Sequence, residues 1–224
     1  MASPTGEDLT GLGRIRQHDP RNADHPMPTL VTEVRHKLWS GAVVLDQGST
    51  PQCVGYAGWG WLAGGPVTNK PEFSPTELYH WAQENDEWPG SDYDGSSTLG
   101  LMKALKVIGY IKEYVWAFDA ETVVAWILAK GPVVVGTNWY TGMFNPDRKG
   151  FLDTSGQIEG GHEYRLVGAD RDKVCPDGTR GAVRMVNSWG RGWGSSGRAY
   201  ISFLTLDKLI KEDGEAVTAP EIKL

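Results

Sequence analysis

The chain changes character at Gly131-Pro132. Before this point apolar residues recur at helical spacing between caps; after it, short β-branched or alternating runs are separated by glycine-rich turns. The segment Cys53–Leu62 (CVGYAGWGWL) is apolar all round with interspersed glycines, which predicts a central helix buried on every side and starting near Cys53. Phe73-Ser74-Pro75-Thr76-Glu77 announces a second helix, with Ser74 as N-cap, Pro75 in the first turn and Glu77 at the capping-box position, running to about Glu87. Ser96 or Ser97 caps a third, with Leu99, Met102, Leu105 and Ile108 on one face and Gly109 ending it. Asp119 caps a fourth, AETVVAWILAKG, stopped by Gly131 and Pro132. PVVVGTNWY, EYRLVGAD, GAVRMVNSW and GRAYISFL then read as strands. Helices first and strands second imply an α+β chain of two lobes, a helical N-terminal one and an antiparallel sheet or barrel at the C-terminal end. The cleft between them is the default site.

At 224 residues, with 40% apolar and 22% charged residues, the chain can bury a sizeable core without staples. A net charge of −6 and the lack of a basic run argue against nucleic acid as a partner. No run reaches the ~18 apolar residues of a membrane helix, and the N-terminal MASPTGEDLTGLGRIRQHDP has no apolar secretion segment, so a cytoplasmic protein, or a virion-associated one if phage-encoded, is expected. Cys53 and Cys175 cannot form a disulfide framework and lack zinc-site spacing, which favours a reducing compartment and no metal. Residues 1–30, rich in Pro, Asp, Arg and Asn, read as an extended or partly disordered arm on the surface, too short for a folded inhibitory pro-domain, preceding a catalytic unit at 31–224. One further expectation is that this arm lies across or near the cleft.

A cysteine opening a buried helix experiences the helix dipole and free amide hydrogens, which favour a thiolate. Cys53 is thus placed to be a nucleophile. His162, in Glu159-Gly160-Gly161-His162 at the start of strand EYRLVGAD, can face it from the rim of the other lobe. Asn187, in Val186-Asn187-Ser188-Trp189-Gly190 at the exit of another strand, can orient that imidazole. Gln47 offers an amide hydrogen to an oxyanion beside the Cys53 backbone amide.

These residues resemble the papain family of cysteine peptidases. The resemblance is carried, in the family's order, by Asp46-Gln47-Gly48 followed by Cys53, by Gly160-Gly161-His162, and by Asn187-Ser188-Trp189-Gly190 with Gly192-Trp193-Gly194. It extends to Asp94-Gly95-Ser96-Ser97, where the family places a glycine-containing strand that pairs with the substrate backbone. What it implies is a papain-like two-lobed fold and peptide-bond hydrolysis by a Cys53/His162 thiolate–imidazolium pair through a thioester, with Asn187 as orienter and Gln47 as oxyanion donor. Gly95, Ser96, Gly161 and Trp189 would bind a peptide or protein substrate, and no cofactor is implied. The chain departs from the pattern at Pro51-Gln52-Cys53-Val54, where the nucleophile's usual neighbours are missing, at Ser96 in place of a second glycine, and at Glu163 in place of a small apolar residue. The Cys53-to-His162 separation is also shorter than the ~130 residues of the mature secreted enzymes. A compact bacterial or phage-type member is the implied relative.

A lone cysteine in an apolar helix is ordinarily a small core residue, and Asn187 alone would be a turn residue. The joint pattern with Gln47, His162 and the paired tryptophans favours catalysis. Cys175, in a turn-rich loop, reads as an idle thiol, and Trp59, Trp61, Trp116 and Trp126 as core. Glu163 is either an ordinary strand residue or, facing the cleft, a bias toward basic side chains. Two rival functions keep the same residues: a thiol amidase or transferase acting on cell-wall or isopeptide bonds, and a non-catalytic peptide-binding module.

Overall fold

The structure is a computed structural model that describes residues 11–67, 70–88, 90 and 92–223. Among these, the helical lobe is built from α1 (Cys53–Leu62), α2 (Pro75–Asn85) and α3 (Thr98–Val107). Each begins close to where the sequence places it. Ser74 Oγ accepts the Glu77 amide at 3.1 Å while Glu77 Oε2 accepts the Ser74 amide at 2.7 Å, closing the capping box. Ser97, rather than Ser96, caps α3 through the Gly100 amide at 2.8 Å. Caps of this kind contribute about 1 kcal/mol each. In α1 only Tyr56 escapes burial, and a side chain at Gly58 would start 2.5 Å from Leu101, so the small residues let α3 approach.

The other lobe is one antiparallel sheet with strands β1 (His36–Leu38), β2 (Val115–Ala117), β3 (Val133–Tyr140), β4 (Ile158–Val174), β5 (Arg180–Val186), β6 (Arg198–Ser202) and β7 (Glu215–Thr218), ordered β2-β7-β3-β4-β5-β6 with β1 added to β4, so that two short strands come from before Gly131. The 17-residue β4 is its spine. The strand expected to begin at Glu163 starts five residues earlier, at Ile158, so His162 stands inside it, opposite Thr137 of β3. β1, β2 and β7, three or four residues each, are too short to leave a periodic signature.

Two differences have clear causes. The run GRAYISFL ends as a strand at Ser202, whose hydroxyl accepts the Thr205 amide at 3.0 Å and opens α5 (Phe203–Lys211). Leu206, Leu209 and Ile210 then face inward at helical spacing. α4 (Ala120–Ala129) lies in the helical half of the sequence but packs into the sheet lobe's core with Val133, Val135, Leu166 and Leu206. In return Val134 and Val217 of the sheet join the helical lobe's core with Leu62, Leu101 and Trp116. The two lobes are therefore stitched together behind the cleft.

The arm is a surface feature over most of residues 18–30 but not over residues 11–17. Leu12, Arg14 and Gln17 are buried, and residues 11–17 run through the cleft between the lobes. Backbone donors and acceptors there are satisfied by the body, which a surface path would leave to water. The first ten residues of the arm lie outside the described ones. Among the described residues no helix is long and apolar enough to cross a membrane, and no cluster of His, Cys, Asp and Glu is arranged to hold a metal.

Candidate active site

Cys53 is the first residue of α1 and wholly buried, its sulfur beside the amides of Val54, Glu163 and Gly13. Across the cleft, His162 Nε2 lies 2.7 Å from Asn187 Oδ1, which also accepts the Ser188 amide at 2.8 Å. Oδ1 is an acceptor in both contacts, so Nε2 carries the proton and Nδ1 is left with its lone pair. Nδ1 is buried without a hydrogen-bond partner among the described residues. Asn187 sits at the exit of β5, held by its amide bond to the Gly197 carbonyl at 3.0 Å.

Rings close this end of the site. Trp189 lies over His162 with centroids 4.6 Å apart, and Trp139 meets it edge-on at 4.7 Å. Trp189 is in the expected place, shielding the His162–Asn187 bond. Trp139 was missed because a tryptophan in a β-branched run reads as core. Trp59, Trp61, Trp116 and Trp126 are indeed core.

Gln47 is positioned from two sides. Its amide donates to Ser188 O at 2.8 Å, and its Oε1 accepts the Ser188 hydroxyl. With Oε1 engaged, Nε2 is aimed as a donor, to Thr50 O at 2.6 Å and to the Gly11 carbonyl at 3.1 Å. The group expected to receive an oxyanion thus already holds a carbonyl oxygen of the arm.

The four expected substrate contacts all meet the arm. Gly161 O accepts the amides of Gly13 and Arg14 at 3.1 and 3.0 Å. Ser96 donates to Gly13 O at 2.9 Å and accepts from Ile15 at 2.7 Å, a parallel pairing centred on Arg14. Gly95 has φ +101°, and a Cβ there would stand 2.4 Å from Gly13 O, so this position requires glycine twice over. Trp189 Nε1 packs against Gly11.

Burial under the arm sets the charge state. It pushes the Cys53 thiol up to about 12, the nearby Glu163 carboxyl adding to the effect. It pulls the His162 imidazole down to about 4, against the Asn187 bond that favours the charged ring. This arrangement therefore favours neutral thiol and neutral imidazole. Cys175 has no part in this. It packs with Phe151 and Ala182 under the β4–β5 hairpin, its thiol donating to Gly181 O at 3.3 Å.

The comparisons with known proteins bear on the family and the fold. The sequence profile described as "Papain family cysteine protease" matches residues 77–211, more than half of the chain. The chain belongs to that family. Among curated proteins it is 29% identical over 119 residues to a cathepsin B-like CP3 of Giardia intestinalis, covering 53% of this chain and 36% of the relative. A cathepsin B-like cysteine proteinase 6 of Caenorhabditis elegans is also 29% identical over 79 residues, covering 35% of this chain and 20% of the relative. The chain thus matches about a third or less of the length of these relatives. Among solved structures, xylellain, a cysteine protease from Xylella fastidiosa, superposes with a TM-score of 0.70 at 17% identity, over 99% of this chain and all of the other. Procathepsin L 3 of the Tenebrio molitor larval midgut follows at 0.67 and 15% identity, over 95% of this chain and 77% of the other. These structural likenesses establish the papain-like α+β fold.

Proposed function

We propose that this chain is a cysteine peptidase whose cleft is closed by its own N-terminal arm, with residues 31–224 as the catalytic unit and residues 1–30 acting on it. The observation that carries the reading is the convergence of Gln47, Cys53, His162 and Asn187 on a bound stretch of peptide backbone. Cys53 is the nucleophile, and its proton passes to His162 Nδ1. The sulfur attacks the scissile carbonyl, and Gln47 Nε2 with the Cys53 amide stabilises the oxyanion. His162 returns the proton to the leaving amine, and water releases the thioester with His162 as base. Asn187 holds the ring in the tautomer that this exchange needs.

The same chemistry says why the arm is a blocker and not a substrate. The leaving amine must lie on the His162 side, where Gly11 packs against Trp189, so a productive peptide runs from the Ser96 side toward Trp189. The arm runs the other way, from Gly11 to Ile15. It also turns the Gly13 amide, not a carbonyl carbon, toward the sulfur. Two free cysteines fit a reducing, cytoplasmic compartment, and peptides or proteins are the only partners this reading calls for.

The test is hydrolysis of a mixed peptide library by the full chain carrying Arg14→Ala, a change that loosens the arm, with and without Cys53→Ala. Cleavage lost in the Cys53→Ala protein is expected; cleavage retained there would overturn the assignment. No cleavage in either, with equal alkylation of Cys53 and Cys175 at pH 5, would favour a non-catalytic peptide-binding module.

A further inference from the structure

The chain carries a net charge of −6, yet one outer face of its sheet is basic. Along β5 and β6, Val183, Met185 and Ile201 enter the core, which leaves Arg184, Arg198 and Tyr200 on the opposite face. Arg184 stands opposite Tyr200, and Arg198 lies two residues along β6, so the two arginines are diagonal neighbours roughly 7–8 Å apart. A strap of residues 39–44 passes over them. Trp39 anchors one end, donating its amide to Val167 O at 2.9 Å and its ring nitrogen to Ile127 O at 2.7 Å. Leu45 O fixes the other end by accepting the Gly190 amide at 3.0 Å. Between strap and sheet is a hollow of about 660 Å³, the size of a small-molecule site, and none of Gln47, Cys53, His162 and Asn187 lines it.

The charges around this hollow are unbalanced. Lys37, Arg184, Arg191 and Arg198 line it against one carboxylate, Asp170, whose Oδ1 already accepts the Asp172 and Lys173 amides at 2.9 and 3.1 Å. Among the described residues none of these three arginines pairs with an acidic side chain. Arg198 donates to the backbone instead, to Ser196 O and Ala42 O at 3.0 Å each, and the Arg184 guanidinium rests on the Tyr200 ring, 4.3 Å from its centroid. Arg165 of β4, 1% exposed, brings a fourth guanidinium to the strap: its Nη2 donates to Val43 O, and its Nε is buried without a hydrogen-bond partner among the described residues. Burial, with Arg198 nearby, pulls Arg165 down to about 9 and lowers Arg184 as well. An anion entering the hollow would relieve this repulsion.

We infer that this hollow is a binding site for a diphosphate group, with Arg184, Arg191 and Arg198 as its donors. It is separate from the cleft and does not depend on the peptidase reading. A lone carboxylate would answer one of these cations, whereas two linked phosphoryl groups can face several guanidiniums at once, each through a fork of parallel N–H donors. The strap side of the hollow is apolar. Leu38 and Val43 line it and are 58% and 41% exposed, so an apolar body attached to the diphosphate would cover surface that otherwise faces water. Inorganic diphosphate and a diphosphate ester share the chemistry that the arginines read, and the apolar wall separates them.

The experiment is calorimetric titration of the full chain with inorganic phosphate, pyrophosphate and benzyl diphosphate at about 0.15 M salt, where loose surface attraction is screened. Pyrophosphate is expected to bind with a Kd of ~0.1 mM and phosphate at least tenfold more weakly. Arg184→Gln alters a side chain that makes no hydrogen bond among the described residues, and Arg191→Gln an exposed one. Each should weaken pyrophosphate about tenfold, whereas Lys112→Gln, which breaks the exposed pair with Glu221, should leave it unchanged. Tighter binding of benzyl diphosphate than of pyrophosphate assigns the site to a diphosphate ester; equal or weaker binding assigns it to the inorganic anion. Lack of saturable binding of both, phosphate matching pyrophosphate, or a pyrophosphate affinity unmoved by both arginine variants overturns the inference.

Discussion

At the Cys53 end of the cleft the arm is held without charge, with Gly11 O on Gln47 and the Gly13 and Arg14 amides on Gly161, beside His162 enclosed by the rings of Trp189 and Trp139. A residue or two along, in the pocket beside Ser96, it is held by a buried guanidinium between Glu215 and Asp213 O. Both ends are dry, yet burial acts on them in opposite ways. At the first it favours the neutral forms of Cys53 and His162. At the second it strengthens an ion pair that only one residue of the arm can supply. The lesson is a division of labour: backbone contacts, which any sequence can make, set the path of the arm, and one side chain fixes it there.

The largest expected consequence is that the charged hold can be removed without disturbing the other. Breaking a buried ion pair costs roughly 3–5 kcal/mol. If about 3 kcal/mol of that appears in arm docking, Arg14→Ala raises the rate of Cys53 alkylation in the full chain by ~100-fold. Arg16→Ala, which removes an exposed pair with Asp213, changes that rate only slightly. Equal rates in wild type and Arg14→Ala would mean the backbone contacts alone close the cleft.

The uncharged end has a pH signature of similar size. The folded His162 value, about 4, lies below its ordinary 6.5. As pH falls the unfolded chain therefore takes up this proton first. The contribution is fully present above 6.5 and is lost as pH falls toward 4, amounting to about 3 kcal/mol. Glu163 works in the opposite sense, since its raised value lets the folded chain hold a proton up to about 8. Thermal melts of wild type and His162→Gln between pH 7 and pH 4 isolate the histidine: the variant should lose less stability on acidification. Parallel curves would show that water reaches His162 under the arm.

Smaller effects sharpen the contrast further. Asn187→Ala frees the imidazole to rotate or change tautomer, and kcat in the Arg14→Ala background should fall by ~10-fold or more while KM is little changed. A matching rise in KM would tie the two ends of the cleft together. Cys175→Ser, in its satellite cluster with Phe151 and Ala182, should leave turnover unchanged and cost no more than about 1 kcal/mol in a denaturant melt.

Much of the fold was legible because it is written locally. Ser74 with Glu77, Ser97, Asp119 and Gly109 punctuate helices within a few residues of themselves, and α1 to α4 stand where those signals put them. The ends that failed are those whose pattern is ambiguous over a short window: Phe203 and Leu204 extend an apolar strand run equally well as they open α5, and β2 and β7 hold only three or four residues each. The candidate site was legible for a different reason. Gln47, Cys53, Gly161, His162, Asn187 and Trp189 stand in short blocks in a fixed order, and the structure draws them together along the cleft.

The sequence by itself determined the candidate residues for the chemistry and where α1 to α4 begin, since caps, periodicity and motif spacing are properties of neighbouring residues. Tertiary structure alone decided that the arm lies in the cleft, in which sense it runs, and that Arg14 meets Glu215, 201 positions away in sequence. It also decided the direction in which burial shifts Cys53 and His162. Charge pairing and desolvation depend on what surrounds a group in space, and no local pattern records that.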